Sequence, residues 1–256
     1  MDIYREIEKI RNGYKPAALC TVVHTKGSTP RKAGAKMLVF SNGDVIGTIG
    51  GGHLEMEVVE NARNQIKENT AKLFKHDLLI QHDMCCGGTV EVFIEPIVRM
   101  KPLYIFGAGH TGKALAELAS RLDFNIHVID DRQEYLDQIT VEGIQKINSH
   151  YLSFLSQIQF DDSTFIVIVT YEHAMDRDIL AYCIRQPHAY LGMIGSERKV
   201  LITKKTFMDA GIATAEQLAS VKMPIGKHIS AETPDEIAIS ILAEIIEVKN
   251  TVCQEK

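Results

Sequence analysis

The feature that most constrains the fold is the stretch 103–132, whose residues follow the order of one strand–helix–strand unit. Residues 103–106 form an uninterrupted apolar run, which is typical of a parallel strand buried on both faces. Gly107, Gly109 and Gly112 follow in the pattern G-x-G-x-x-G, and apolar residues then recur at helical spacing. These features predict a Rossmann-like unit, in which a strand, a glycine turn and a helix meet at a ligand.

Each glycine of this pattern has a separate purpose in that fold. Gly107 allows the tight turn, Gly109 lets a phosphate approach the backbone, and Gly112 lets the helix pack on the strand. A second apolar run ends in Asp130, near the distance at which a carboxylate binds a ribose 2′-hydroxyl. We therefore predict a site for a phosphate-bearing, nucleotide-type ligand, with glycines that serve only packing as the alternative.

The composition is that of an ordinary globular protein: 256 residues, 45% hydrophobic and 24% charged. A formal net charge of -5, without a long Lys/Arg run, argues against general binding to nucleic acids or anionic membranes. The N-terminus lacks the apolar core of a signal peptide, and no apolar stretch is long enough to span a bilayer, so we expect a cytoplasmic protein. The five cysteines lack a disulfide-framework spacing and are expected to be reduced.

The chain before the Rossmann unit has the pattern of an antiparallel sheet. Two short apolar runs, 37–40 and 45–49, flank an Asn-Gly pair, which is a strong hairpin signal. A short segment with Pro102 leads into the Rossmann strand and indicates a domain boundary. We predict an α/β protein with a small N-terminal α+β domain, 1–99, followed by a Rossmann-like domain with a doubly wound parallel sheet, 100–256.

A second glycine-rich turn lies in this N-terminal part, where Gly50, Gly51 and Gly52 stand between a strand and a helix. Backbone N–H groups bared by the glycines could receive a phosphate or a planar heterocycle. Glu55 falls in the first turn of the helix, where the alternative role of a carboxylate is to complement the helix dipole. An irregular loop, 27–34, carries hydroxyl and basic side chains and could also hold an anion.

Adjacent cysteines, Cys85 and Cys86, precede the glycine pair Gly87 and Gly88. A thiol on such a turn is approachable, and nearby backbone N–H groups would stabilise the thiolate of Cys86 and make it nucleophilic or metal-binding. No second C-x-x-C pair or finger-spaced histidine pair follows, which argues against a structural zinc site. The alternative is two buried structural thiols.

Polar residues follow two later apolar runs. His173 and Asp176 come after the run 165–170, and Arg198 and Lys199 come after the next one. Ligands of open α/β sheets bind at the carboxyl ends of strands, so the topology places His173 and Asp176 near the glycine loop. Arg198 and Lys199 follow a further glycine turn that precedes a helix, and they could pair with an anion or be ordinary solvated charges.

Several motifs together resemble the XdhC/CoxI family, the xanthine dehydrogenase accessory factors that serve molybdenum-cofactor enzymes. They are GSTPRKAGAKM, GTIGGGHLE, the CGG turn and FGAGHTG, in this order. Later segments agree with the family as well, namely VIDDR, TYEHAMDRDIL, YLGMIGSERK and TPDEIAISILAEI. The resemblance therefore covers nearly the whole chain.

The resemblance implies a cytoplasmic chaperone, expected to be a homodimer, rather than an enzyme with turnover of its own. Such a chaperone binds the molybdopterin-type molybdenum cofactor, protects it while it acquires its terminal sulfur, and hands it to an apo-hydroxylase of the xanthine dehydrogenase type. A cysteine desulfurase fits as a second partner. The residues that match the family motifs are Gly50, Gly51, Gly52, Glu55, Cys86, Gly107, Gly109, His110 and Gly112, with Cys86 as the candidate thiolate for molybdenum.

An alternative interpretation is an NAD(P)-dependent oxidoreductase. The Rossmann loop would then hold NAD(P), Asp130 would bind the ribose, and Tyr171 or His173 would act as acid or base. His110 inside the glycine loop is unusual beside a pyrophosphate, and a simple dehydrogenase does not need the cysteine turn. The sequence favours the chaperone, with a nucleotide or NAD(P) at the Rossmann loop left open.

Overall fold

The computed structural model of the protein describes residues 2–13, 15–78 and 88–254, with side chains described up to residue 251. The chain divides into two compact units, Met1–Met100 and Lys101–Lys256, each with its own sheet and its own core. Among the described helices, none is both long enough and apolar enough to cross a membrane.

The first unit is an antiparallel sheet with helices packed against it. Its elements are α1 (Ile3–Arg11), β1 (Ala17–Lys26), β2 (Lys36–Phe40), β3 (Val45–Gly47), α2 (Gly52–Glu68), β4 (Lys72–Asp77) and β5 (Thr89–Pro96). The strands are ordered β3-β2-β1-β5-β4, and every neighbouring pair is antiparallel. The antiparallel sheet predicted for the N-terminal part is confirmed. At the hairpin between β2 and β3, Gly43 has a φ of +95°, which the Asn-Gly pair supplies without strain.

Alternation along β1 divides the core of this unit between the two faces of the sheet. Cys20 and Val22 are fully buried in one cluster with Val58 of α2. Leu19 lies in a second cluster with Ile10 of α1. Because α2 packs on the sheet from its first turn, it fixes the glycine-rich turn that joins it to β3.

The second unit is a parallel sheet with helices on both faces. Its elements are β6 (Lys101–Phe106), α3 (His110–Ala119), β7 (Phe124–Asp130), α4 (Gln133–Leu136), β8 (Gln145–Asn148), α5 (Tyr151–Leu155), β9 (Phe165–Ile168), α6 (His173–Cys183), β10 (Tyr190–Met193), α7 (Glu197–Asp209), α8 (Ala215–Ser220) and α9 (Pro234–Gln254). The strands are ordered β10-β9-β6-β7-β8, and all neighbouring pairs are parallel. This confirms the Rossmann-like fold predicted from the sequence.

The central strand β6 is buried on both faces, which explains its uninterrupted apolar sequence. Leu103 and Ile105 pack in the cluster that contains α3 and α9, whereas Tyr104 and Phe106 pack in the cluster that contains α5 and α6. The chain leaves β6 towards β7 on one side and later returns to β9 on the other side. The strand order therefore reverses between β6 and β9, and open α/β sheets bind their ligands at such a point.

Candidate functional site

The three glycines of the loop between β6 and α3 serve different purposes. Two of them are needed for packing, and one leaves the backbone open to a ligand. Gly107 has a φ of +115°, and a Cβ there would collide with the Val169 carbonyl oxygen. A Cβ at Gly112 would collide with the carbonyl oxygen of Gly107. Gly109 differs, because its φ of -62° suits any residue and no described atom lies within 4 Å of an added Cβ. Gly107 and Gly112 are thus required by the fold, while Gly109 leaves open space in front of the backbone.

Asp130, at the end of β7, holds this loop in place through a hydrogen bond to its backbone. The side chain is fully buried, and its Oδ2 accepts a hydrogen bond of 2.7 Å from the Ala108 N–H. Arg132 donates three more, from its backbone N–H (3.0 Å) and Nε (2.9 Å) to Oδ1, and from Nη2 (2.9 Å) to Oδ2. Burial by itself raises the pKa of the Asp130 carboxyl, but the Arg132 side chain and the Ala108 N–H lower it overall. This geometry favours a positioning role for Asp130 over the ribose contact that its sequence position predicts.

Arg132 is held in a fixed plane by two aromatic rings. Its Cζ lies 3.9 Å from the ring centroid of Tyr135 and 4.0 Å from that of Tyr171. The Tyr171 hydroxyl is tied in turn to Asp131 Oδ2, at 3.2 Å. The hydrogen bond to Asp130 raises the pKa of Arg132, so the guanidinium is charged at every working pH. Sequence reasoning missed this arrangement, although an arginine directly after the acidic tip of β7 was a visible signal.

A cavity of about 340 Å³ lies in front of the loop, at the carboxyl ends of the strands. Its lining includes Gly109, His110 and Thr111 from the start of α3, together with Arg132, Tyr135 and Tyr171. The N-cap residue of α3 is Gly109, which has no side chain to accept hydrogen bonds from the first N–H groups of that helix. The arrangement combines helix N–H groups, a guanidinium and aromatic rings, which is a donor set for an anionic ligand with a planar part.

A second cavity of about 570 Å³ adjoins the first across Ile194. It is formed by the end of β10, the segment 224–231 and the start of α9. Arg198 and Lys199 line neither of these two cavities and are exposed on α7.

His173 and Asp176, predicted to lie near the glycine loop, do not line the cavity in front of it, and the Asp176 carboxylate has a partner other than His173. His173 Nδ1 is 3.7 Å from Asp176 Oδ2, whereas Asp176 Oδ1 accepts hydrogen bonds from the Thr170 hydroxyl (2.5 Å) and the Thr170 N–H (3.1 Å). Asp176 is buried, and desolvation raises its pKa despite these hydrogen bonds. The pair therefore fixes the turn after β9, which contributes Thr170 and Tyr171 to the first cavity.

The triple-glycine turn of the first unit is occupied by a side chain of the protein itself. Gly50, Gly51 and Gly52 have φ values of +148°, +81° and +64°, which only glycine adopts in succession. The N–H groups bared by this geometry point at Glu55, whose Oε1 accepts from Ile49 (3.0 Å), Gly50 (3.2 Å) and Gly51 (2.8 Å). The Thr48 hydroxyl donates to the same oxygen. The backbone donors predicted to receive a phosphate thus hold the Glu55 carboxylate.

Protonation of Glu55 is opposed by this arrangement. Burial by itself raises the pKa of its carboxyl, but the hydrogen bonds from Thr48, Gly51, Gly50 and Ile49 lower it overall. The carboxylate therefore acts as an internal anion that keeps the turn in shape, a more specific role than complementing the dipole of α2.

The loop 27–34 packs against both the triple-glycine turn and Gly88. A Cβ at Gly50 would lie 2.5 Å from Pro30 Cγ, so the loop 27–34 packs directly on the triple-glycine turn. Gly88 packs against the same loop, where an added Cβ would collide with the Ser28 carbonyl oxygen and lie 2.7 Å from the Lys26 carbonyl oxygen. Cys85 and Cys86, which precede Gly88, lie outside the described residues.

The two thiols that the structure does describe are buried in the cores of the two units. Cys20 and Cys183 are buried, and desolvation raises the pKa of each to about 12, so neither is a thiolate near neutral pH. Within the described residues, no group of three His, Cys, Asp or Glu side chains is placed to hold a metal ion.

Comparison with known proteins assigns both units to one family. The family model described as the XdhC Rossmann domain matches residues 103–245, and the model described as the XdhC and CoxI family matches residues 11–77.

Relatives are found in two bacteria. The uncharacterized protein YqeB of Escherichia coli (strain K12) is 37% identical over 98% of this chain, which spans only 47% of YqeB. A probable xanthine dehydrogenase subunit of Bacillus subtilis (strain 168) is 24% identical, over 96% of this chain and 97% of its own length. The molybdenum cofactor insertion chaperone PaoD of Escherichia coli (strain K12) is 20% identical, over 95% of this chain and 86% of its own length.

A solved structure shares the fold. The crystal structure of a protein described as a xanthine dehydrogenase from Bacillus halodurans superimposes with a TM-score of 0.54, covering 98% of this chain and 96% of its own at 21% identity. The XdhC Rossmann domain model covers more than half of the chain, and together with the N-terminal match it shows that the chain belongs to the XdhC and CoxI family.

Proposed function

We propose that this protein is a maturation factor for a molybdenum hydroxylase of the xanthine dehydrogenase type. It binds the molybdopterin-type molybdenum cofactor, protects it during sulfuration and delivers it to the apoenzyme. The names of two relatives support this, since one is a molybdenum cofactor insertion chaperone and the other is named for xanthine dehydrogenase. The protein works in the cytoplasm as a homodimer, and a cysteine desulfurase is a second partner.

The observation that carries this proposal is the cavity in front of Gly109. Molybdopterin joins a planar heterocycle to a phosphate, and the cavity offers one kind of contact for each. The open backbone at Gly109 and the uncapped start of α3 suit the phosphate, while the rings of Tyr135 and Tyr171 suit a planar group. The residues present therefore fit the cofactor that the family implies.

The first unit carries a separate candidate residue for sulfur and metal chemistry. A cysteine thiolate is the soft donor that molybdenum or a transferred sulfur prefers. Cys86 is the candidate, because it directly precedes the glycine pair Gly87 and Gly88 in the family's CGG motif. In this proposal Glu55 shapes the turn, and Gly50, Gly51 and Gly52 give the ligand room to approach.

The oxidoreductase alternative has the Rossmann topology in its favour, but His173, one of its two candidate acid–base residues, is poorly suited to it. The Asp176 carboxylate is engaged by Thr170 and lies 3.7 Å from His173 Nδ1. The pair is therefore better placed to hold a turn than to relay protons.

The experiment that tests the proposed function is analysis of the ligand that the protein carries. Protein purified from cells that make molybdopterin is denatured, and the released small molecules are identified by mass spectrometry alongside a metal measurement. We expect a molybdopterin species in a substantial fraction of the molecules. Protein that is folded and free of any molybdopterin from such cells, but carries stoichiometric NAD(P), would overturn the proposal in favour of the oxidoreductase.

A further inference from the structure

The cavity at the glycine loop differs from a typical nucleotide site in how its acidic residue is used. A carboxylate has room for about four hydrogen bonds. Asp130 already accepts four from the protein, one from the Ala108 N–H and three from Arg132. Its side chain is fully buried and does not line the cavity. No acceptor site is left for a ribose hydroxyl.

The cavity wall at this place is provided by Arg132 instead. A guanidinium has five N–H donors. Two of them bind Asp130, and the remaining three donate to no other described residue. The stacked rings of Tyr135 and Tyr171 keep the group from rotating away, so little side-chain entropy remains to be lost when a ligand binds. The wall is therefore a fixed set of donors where a diol-binding site would present acceptors.

The charges at this wall also favour a ligand that accepts hydrogen bonds. In a site that binds a ribose diol, a free carboxylate accepts from the 2′-hydroxyl and repels a 2′-phosphate. Here the Arg132 guanidinium neutralises the Asp130 carboxylate at 2.9 Å, which removes that repulsion. Asp131, the nearest other acid in the sequence, accepts from the Tyr171 hydroxyl and is not part of the cavity lining.

We propose that Arg132 is the specificity-determining residue of this cavity and that it selects a ligand carrying a phosphate monoester over one that presents a ribose diol. Planar, forked donation to a phosphate is the contact that arginine makes best. Two sources of such a group are the 2′-phosphate of an NADP(H)-type nucleotide and the terminal phosphate of molybdopterin. The inference deepens the proposed function, and it rests on that function only for the second source.

The nucleotide arm of the test uses metal-free, full-length protein and isothermal titration calorimetry. The probes are 2′,5′-ADP and 5′-ADP, with NADPH and NADH as a second matched pair. If the nucleotide is the source, the parent protein should bind the 2′-phosphorylated member of each pair at least about tenfold more tightly. Equal binding of the two members, or preference for the free diol, would overturn the inference.

Variants then connect the preference to the residue. Arg132→Lys keeps the charge opposite Asp130 but loses the planar fork, and it should reduce the preference about tenfold. Arg121→Lys makes the same chemical change at an exposed position beyond the far end of α3 and should leave the preference unchanged. A preference that survives Arg132→Lys in full would assign the selectivity to another residue and overturn the inference.

The molybdopterin arm decides the case in which the parent binds none of the four nucleotides. Retention of molybdopterin by Arg132→Lys, purified from molybdopterin-making cells, is then compared with the parent and Arg121→Lys. A severalfold loss supports the inference with molybdopterin as the source, and unchanged retention overturns it. A parent that prefers 2′,5′-ADP but carries no molybdopterin would contradict the proposed function while leaving the inference intact.

Discussion

At the scale of single residues, two carboxylates decide what the glycine loops can bind. Glu55 and Asp130 each accept backbone hydrogen bonds from their own loop, so their charge is used inside the protein. Arg132 neutralises Asp130 and faces a cavity, whereas the described partners of Glu55 are N–H and hydroxyl dipoles. The two loops look alike as sequence patterns but differ in which donors they leave for a ligand.

The stabilising effect of Glu55 should depend on pH. Its folded-state pKa is lowered, so the stabilisation is complete above its unfolded-state pKa of about 4.3 and is lost as the pH falls through the folded-state value. Glu55→Gln should lower the free energy of unfolding by about 1–2 kcal/mol at pH 7, with allowance for partial exposure, and the deficit should shrink on acidification. Chemical denaturation at several pH values measures this.

Glu60→Gln is the control, because Glu60 is exposed on the same helix and forms a surface ion pair with Arg63, 3.3 Å away. This change should cost less than about 0.5 kcal/mol at any pH. A Glu55→Gln deficit that stays constant from pH 7 to pH 3 would mean that the charge of Glu55 is not what holds the turn.

The two adjacent thiols should differ in function. The family motif CGG contains Cys86 and not Cys85, so we expect only Cys86 to contact the ligand. Cys86→Ser should lose most of the bound cofactor, whereas Cys85→Ser should retain it, as measured by released molybdopterin per mole of protein. Thermal melting of both variants checks that the fold is kept. Full retention by Cys86→Ser would leave binding to the glycine loops alone.

At the scale of elements, three of the turns that lead into helices are stabilised in the same way. A carboxylate from the following helix or the next strand accepts the N–H groups of the turn: Glu55 for the turn before α2, Asp130 for the turn before α3, and Asp176 for the turn before α6. Each turn is thereby fixed before any ligand arrives. Such preorganisation reduces the ordering cost of binding.

The loop before α3 offers a test that separates folding from binding. Gly109→Val should fold normally, because the backbone there is in a common conformation and the added side chain meets no described atom, yet it should block the approach of a phosphate. We expect unchanged circular dichroism and at least about a tenfold loss of ligand affinity. A folded variant that binds the ligand as tightly as the parent does would show that this loop serves only packing.

Gly107→Val is the matched control in the same loop. Its φ of +115° and the collision with Val169 predict a loss of stability of roughly 2 kcal/mol or more, seen as a lower melting temperature.

Much of the architecture follows from local sequence, and the exceptions have physical causes. The buried run of β6 and the Asn-Gly hairpin predicted the two sheets correctly because their patterns reflect burial and turn chemistry. The edge strand β8 was not predicted, since its largely exposed residues carry no apolar pattern. At the site, the sequence pattern predicted that Asp130 follows a strand at the position of the ribose-binding carboxylate. It did not predict that Arg132, two residues later, would take up its oxygens, because that depends on side-chain geometry.

At the scale of the whole molecule, a cofactor carrier should bind its ligand without catalysing a reaction of that ligand. Metal-free protein should therefore show no steady hydride transfer from NADH or NADPH to small carbonyl or xanthine-like substrates, even if it binds one of these nucleotides. Absorbance at 340 nm follows the reaction. Sustained turnover at a rate of about 1 s⁻¹ or more, abolished in Gly109→Val, would make the protein an enzyme.

Delivery of the cofactor tests the central claim most directly. The protein loaded with molybdopterin cofactor is mixed with a molybdenum hydroxylase of the xanthine dehydrogenase type that lacks it, and hydroxylase activity is followed together with the cofactor content of both proteins. The account predicts that activity rises as cofactor leaves this protein, and that Gly109→Val, matched for concentration, gives little or none. Activation that is no faster than with free cofactor, or that is equal for Gly109→Val, would contradict it.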